Sequence, residues 1–212
     1  GGYDHGKNAG VVHVGNHHVV CGAKLWEWGP GNIWDTKVLT DSDGPYAELM
    51  VGAFSDNQPD YSWIKPYEVK TFKQYWYPIR EIGGVKKANL DAAVNLELRA
   101  DGVARVGFNT TSKFKNARVV LRAAGKTLSE QRINIDPAQA FVKDVPVPEG
   151  TEETDLQASL LASDGRVLIC YQPKERKGVS DLPDVVEAPP APKDIERIED
   201  LYLTGLRLEQ IH

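Results

Sequence analysis

With 212 residues the chain can hold one or two domains with real cores, which excludes a bare peptide or a disulfide-stapled miniprotein. Its 41% hydrophobic and 26% charged residues, with 19 Gly and 13 Pro, describe a turn-rich globular protein. A net charge of −5 and a pI of about 5.6 speak against bulk attraction to nucleic acid or an anionic membrane. Cys21 and Cys170 lie far apart and give neither a disulfide framework nor a zinc pattern, which fits a reducing, cytoplasmic setting. No apolar run reaches the length of a membrane span. The chain opens at Gly1-Gly2 without an initiator Met and reads as an internal piece of a longer protein.

Composition divides the chain sharply. All five Trp (26, 28, 34, 63, 76) and six of eight Tyr precede residue 80, and four of five His fall in the first 18 residues. Residues 91–180 hold no Trp or His, whereas residues 181–212 hold 8 acidic against 3 basic side chains. Shifts of this kind mark module boundaries. They predict a β-rich portion over 1–88, a β-sandwich over 89–175, a Pro-rich linker over 176–192 and a helix over 193–212.

In chain order, the first portion alternates around Val11, Val12 and Val14, and Pro45–Val51 and Glu68–Pro78 are aromatic and β-branched. Gly29-Pro30-Gly31 and Asp41-Ser42-Asp43-Gly44-Pro45 mark turns. In the second portion, Ala93–Arg99 and Val103–Phe108 meet at Asp101-Gly102, a hairpin dipeptide. Arg118–Ala123, Leu128–Ile135, Ala140–Val147, Leu156–Leu161 and Arg166–Tyr171 follow, with Ser163-Asp164-Gly165 before the last. Six or seven short strands in this spacing predict an immunoglobulin-like sandwich without the Cys…Trp…Cys core of antibody domains. Its expected core is Leu96, Leu98, Val106, Phe108, Val119, Leu121, Ile133 and Leu160. Ala188-Pro189-Pro190-Ala191-Pro192 then reads as a semi-rigid spacer. Beyond it, Ile195, Ile198, Leu201, Tyr202 and Leu206 form a helical stripe, with Asp194 as its expected N-cap.

Chemistry-bearing groups concentrate in the first portion. Asp4, His5, His13, Glu27 and Glu48 accompany Trp26, Trp28, Trp63, Tyr75 and Trp76. Sugar C–H faces pack on indole, polar side chains take hydroxyls, and a carboxylate near an imidazole can exchange protons. Aromatic residues also fill the cores of large sheets. His13, His17 and His18 lack a third ligand at a fixed spacing, so no metal site is expected. Asp41-Ser42-Asp43-Gly44 opens like a calcium loop but has Gly52 where the twelfth-position glutamate belongs, and reads as a turn. No phosphate-cradling glycine loop or nucleophile elbow is present, and nothing implies a cofactor.

Gly1-Gly2-Tyr3-Asp4-His5, Ala9-Gly10-Val11-Val12-His13-Val14, His17-His18 and Trp26-Glu27-Trp28-Gly29 carry a family resemblance. So do Asp43-Gly44-Pro45-Tyr46, Glu48-Leu49-Met50, Asp56-Asn57-Gln58-Pro59-Asp60, Trp63 and Gln74-Tyr75-Trp76-Tyr77-Pro78-Ile79. Together these residues resemble a bacterial family of unknown function that joins a galactose-mutarotase-like β-supersandwich to tetratricopeptide repeats. Cys21 replaces the family's usual proline. The tail Leu201-Tyr202-Leu203-Thr204-Gly205-Leu206 is similar to the opening helix of its repeat array.

The resemblance implies that residues 1–88 are the C-terminal part of a supersandwich with a sugar cleft. Glu48 then matches the basic glutamate of mutarotases, and His5 or His13 is the candidate acid. Asp4, Trp26, Trp28, Gln58, Asp60 and Trp63 are the candidate sugar-binding residues. The implied function is a carbohydrate-active or carbohydrate-binding protein, hydrolase-like or mutarotase-like if catalytic. The competing reading is a non-catalytic scaffold that binds protein partners through the supersandwich and helical repeats.

Overall fold

A computed structural model describes residues 1–27, 47–54, 64–175 and 190–209. Among these residues thirteen strands form four antiparallel sheets. Strands β1 (Gly2–Asp4), β2 (Ala9–Gly15) and β5 (Gln74–Arg80) make a three-stranded sheet in the order β1-β2-β5. Strands β3 (Gly22–Glu27) and β4 (Ala47–Gly52) pair as a ribbon. Both lie in one compact unit with residues 62–175; residues 176–212 belong to a second unit, which contains α1 (Ile198–Glu209).

The remaining strands build a β-sandwich. Its first sheet has β6 (Lys87–Ala88), β7 (Ala92–Leu98), β8 (Val103–Thr110) and β11 (Phe141–Pro146) in the order β11-β8-β7-β6. The second has β9 (Phe114–Ala123), β10 (Lys126–Ile135), β12 (Leu156–Leu161) and β13 (Val167–Tyr171) in the order β10-β9-β12-β13. Leu96, Val106 and Phe108 from one sheet meet Val119, Leu121 and Leu160 from the other in a buried core. Leu98 and Ile133, expected in the same core, are partly buried at its margin. Gly102 and Gly165 take φ of +74° and +88°, the left-handed conformation that a turn at Asp-Gly asks of its glycine.

The first sheet of the sandwich is covered on both faces. Ala93, Asn95, Gly107 and Asn109 alternate away from the core, toward the junction and the β1-β2-β5 sheet. There Val12, Ile79 and Ile82 pack with Ala93 into a second, smaller core. Strand β7 is consequently buried at every position from Ala92 to Leu96, although Val94-Asn95-Leu96-Glu97-Leu98 alternates between apolar and polar as a half-exposed strand would.

Polar groups fix the junction between the layers. Asn95 Nδ2 donates to Ile82 O at 2.9 Å, Gly83 N donates to the Tyr3 hydroxyl at 3.1 Å, and Arg80 N donates to Asn109 Oδ1 at 3.1 Å. Asn89 serves three elements. Its Oδ1 accepts from Asp91 N and Ala92 N at 2.9 Å each, its carbonyl accepts from Tyr77, and its Nδ2 donates to Leu168 O at 2.7 Å. Lys87 Nζ donates to Cys170 O at 2.9 Å, two residues further along the same strand.

The C-terminal helix starts later than the sequence suggests. Pro192–Asp194 forms one 3-10 turn closed by Ile195 N on Pro192 O, and Ile195 itself is extended. Asp194 therefore lies inside that turn and caps no α-helix; α1 begins at Ile198. Ile198, Tyr202 and Leu203 of α1 are exposed. Among the described residues no helix is long and apolar enough to cross a membrane.

Candidate functional site

Alternation along β2 and β5 sorts their side chains onto two faces. Val12, Val14, Tyr77 and Ile79 turn inward to the smaller core, so Val11, His13, Gln74, Trp76 and Pro78 turn outward. His13 lies directly opposite Trp76 in the ladder, and their rings sit 4.8 Å apart, tilted by 54°. His13 Nε2 lies 2.9 Å from Gln74 Oε1. With Nε2–H donating to that oxygen, Nδ1 remains an acceptor for an incoming hydroxyl.

Trp76 is 45% exposed, so its indole offers a free apolar face beside a held imidazole. Gly15 continues the outer row; a Cβ there would stand 3.2 Å from His13 Cε1. Gly15 also borders a hollow of about 340 Å³ at the end of the ladder, with Asn16, Thr71, Phe72 and Tyr75 in its wall. Val14 also lines it and Tyr75 pairs with Val14 in the ladder, so the hollow opens toward the inward side of the sheet, and the imidazole and indole stand together on the outer side.

The other candidates are distributed differently. Asp4 Oδ1 accepts from Gly6 N at 2.8 Å and Lys7 N at 3.1 Å, so its carboxylate closes the β1–β2 turn. His5 packs edge-on against Tyr3 at 5.1 Å, and Tyr3 belongs to the inward face. His5 and His13 therefore do not converge. Glu48 is the ladder partner of Trp26 in the β3–β4 ribbon. The adjacent Leu49 reaches toward β1, where a Cβ on Gly2 would lie 3.2 Å from it, and alternation turns Glu48 to the opposite face of the ribbon. Trp28, Gln58, Asp60 and Trp63 lie outside the described residues, as does the side chain of Trp26.

His17 and His18 lie against each other at 4.0 Å, tilted by 39°, in the turn after β2. Among the described residues no three His, Cys, Asp or Glu side chains cluster as metal ligands would. Gln74 carries no site role in the sequence reading, and Trp76 figures there only among the aromatic residues. Their signal is the i, i+2 spacing in a strand, which places both on the face of whatever histidine pairs with Trp76.

On the inward side of β5, burial pushes the Tyr77 hydroxyl up from 10.0 to about 12. It donates to Asn89 O at 2.9 Å. A folded-state value above the unfolded one means that the folded protein holds this proton more tightly. The contribution is fully present below about pH 10 and is lost as pH rises through about 12. Denaturant titrations across that window should show stability falling with pH, and Tyr77→Phe should lessen the slope.

Residues 1–79 match the family model of a domain of unknown function, DUF5107, and residues 87–171 match that of the second domain of YphG-like protein. The chain is similar to uncharacterised bacterial domain families over both portions. No solved structure matches it.

Proposed function

We propose that the protein binds carbohydrate through the outer face of the β1-β2-β5 sheet, with His13, Gln74 and Trp76 at its centre. The observation that carries this reading is the half-exposed Trp76 indole beside an imidazole held by a neutral amide. Indole packs on the C–H face of a sugar ring while the imidazole and amide take its hydroxyls. His13 leans on Gln74 and not on a carboxylate, which supports recognition over acid–base chemistry. The acid–base pairing of Glu48 with His5 or His13 draws no support from strand alternation.

A galactose-mutarotase-like supersandwich for residues 1–88 and an immunoglobulin-like class for the sandwich are part of the same reading. Two facing four-stranded antiparallel sheets are compatible with the latter. The alternative is a scaffold that engages protein partners, favoured by the exposed Ile198, Tyr202 and Leu203 of α1. Helical repeats need paired helices, and the described residues contain a single α-helix.

A glycan array followed by fluorescence titration with the best neutral oligosaccharide tests the proposal. Trp76→Ala should weaken binding about tenfold or more while leaving the far-ultraviolet circular dichroism intact. An array without any sugar bound, or undiminished binding by that variant, would refute it.

A further inference from the structure

We propose that the outer face of the β10-β9-β12-β13 sheet is a second binding site, for an oligosaccharide that bears carboxylates. On β9 and β12 the odd and even positions separate cleanly. Val119, Leu121 and Leu160 enter the core, while Arg118, Val120, Arg122, Gln157 and Ser159 face outward. Two adjoining hollows of about 240 and 300 Å³ run along this face and share Arg122 and Gln157. Together they reach the size at which pockets take small ligands.

Charge is unevenly matched here. Glu130 pairs with Arg118 at 3.3 Å, and the Asp155 carboxylate accepts from Glu152 N at 3.0 Å. Arg122 lines both hollows and makes no ion pair or side-chain hydrogen bond among the described residues. Arg132, the ladder partner of Arg118, adds positive charge to the same face. An unmatched guanidinium beside a concave surface suits a carboxylate, which it can hold through two parallel hydrogen bonds.

The rest of the lining points to a hydroxyl-rich ligand. Ser159 Oγ donates to Cys170 Sγ at 3.3 Å, and Gln157 Nε2 donates to Gln172 Oε1 at 3.3 Å. Each pair leaves further donors and acceptors for hydroxyls. Val120, at 5% exposure, gives a flat floor with no deep apolar socket for a peptide side chain. A shallow floor of Val120 flanked by Ser159, Gln157 and an unmatched arginine favours an acidic sugar over an acidic peptide.

The site is separate from the His13–Trp76 surface and does not depend on it. Calorimetric titration of the whole chain with trigalacturonate, neutral galactotriose and a hexaglutamate peptide tests it. Trigalacturonate should bind, more weakly as salt rises, and galactotriose should bind at least about tenfold more weakly. Arg122→Ala, an exposed change outside the core, should weaken trigalacturonate binding about tenfold. The loss on Arg122→Ala should be equally large in a Trp76→Ala background, which separates failure of this site from failure of the other. No binding of trigalacturonate, equal binding of galactotriose or hexaglutamate in the Trp76→Ala background, or an unaltered Arg122→Ala would each overturn the proposal.

Discussion

Phe108→Ala should remove about 3–5 kcal/mol of unfolding free energy, the usual cost of deleting a buried aromatic side chain. Phe108 is fully buried on β8 and belongs to the larger core, between β7 and β11 in the ladder. Its ladder partners Val94 and Phe141 are themselves strand-bound, so the surroundings have little freedom to collapse into the space. A single domain is commonly stable by only about 5–15 kcal/mol, so the loss is a large share of the whole. Equilibrium urea unfolding would read it as a lower midpoint at unchanged slope. A loss below about 1 kcal/mol would mean that this core repacks far more easily than its burial suggests.

Gly107→Val should be nearly as damaging, through crowding. Gly107 is the neighbour of Phe108 on the opposite face, where the chain passes from β5 to β6. A Cβ there would stand 2.8 Å from Ile82 Cβ, 3.0 Å from Ile82 Cα and 3.1 Å from Ile82 O. Two of these are backbone atoms that cannot rotate aside. Ile82 is fully buried and its carbonyl accepts from Asn95, so displacing it breaks both packing and a hydrogen bond. Overpacking costs typically about 1–3 kcal/mol, and the branched valine adds more atoms than alanine would. Limited proteolysis should show new cleavage near residues 81–85 while the sandwich fragment stays resistant. Unaltered proteolysis and stability would show that the junction yields without cost.

Much of the sandwich is legible in the sequence because its turns and faces obey local rules. Asp101-Gly102 and Ser163-Asp164-Gly165 bend where a left-handed glycine is needed, and Leu156–Leu161 alternates as one buried face requires. The junction is not legible, since the face bearing Asn95, Gly107 and Asn109 reads from sequence as solvent-facing. These residues are buried by long-range pairing, and period-two logic cannot see a third layer. The candidate site is legible in composition and hidden in geometry. His13 and Trp76 are 63 positions apart, and only the β2–β5 register brings them together. His5, near His13 in sequence, packs against a ring on the other side of that sheet. The sequence misplaces the helix start because Asp194 has the chemistry of a cap, whereas Pro192 commits the preceding turn to 3-10 geometry.

Two side chains bound to carbonyls of β13 bear on how the protein behaves at high concentration. An outermost strand normally displays a row of unpaired peptide groups, a template on which a strand from another molecule can grow. Leu168 O and Cys170 O are successive outward carbonyls of β13, and both are already occupied, by Asn89 and Lys87. An amide and an ammonium thus stand where a neighbouring strand would have supplied its N–H groups. Lys87 also sets a positive charge along that border, which repels the same border of a second copy. The sandwich closes this margin with side chains, and intermolecular sheet growth is discouraged there without covering the strand.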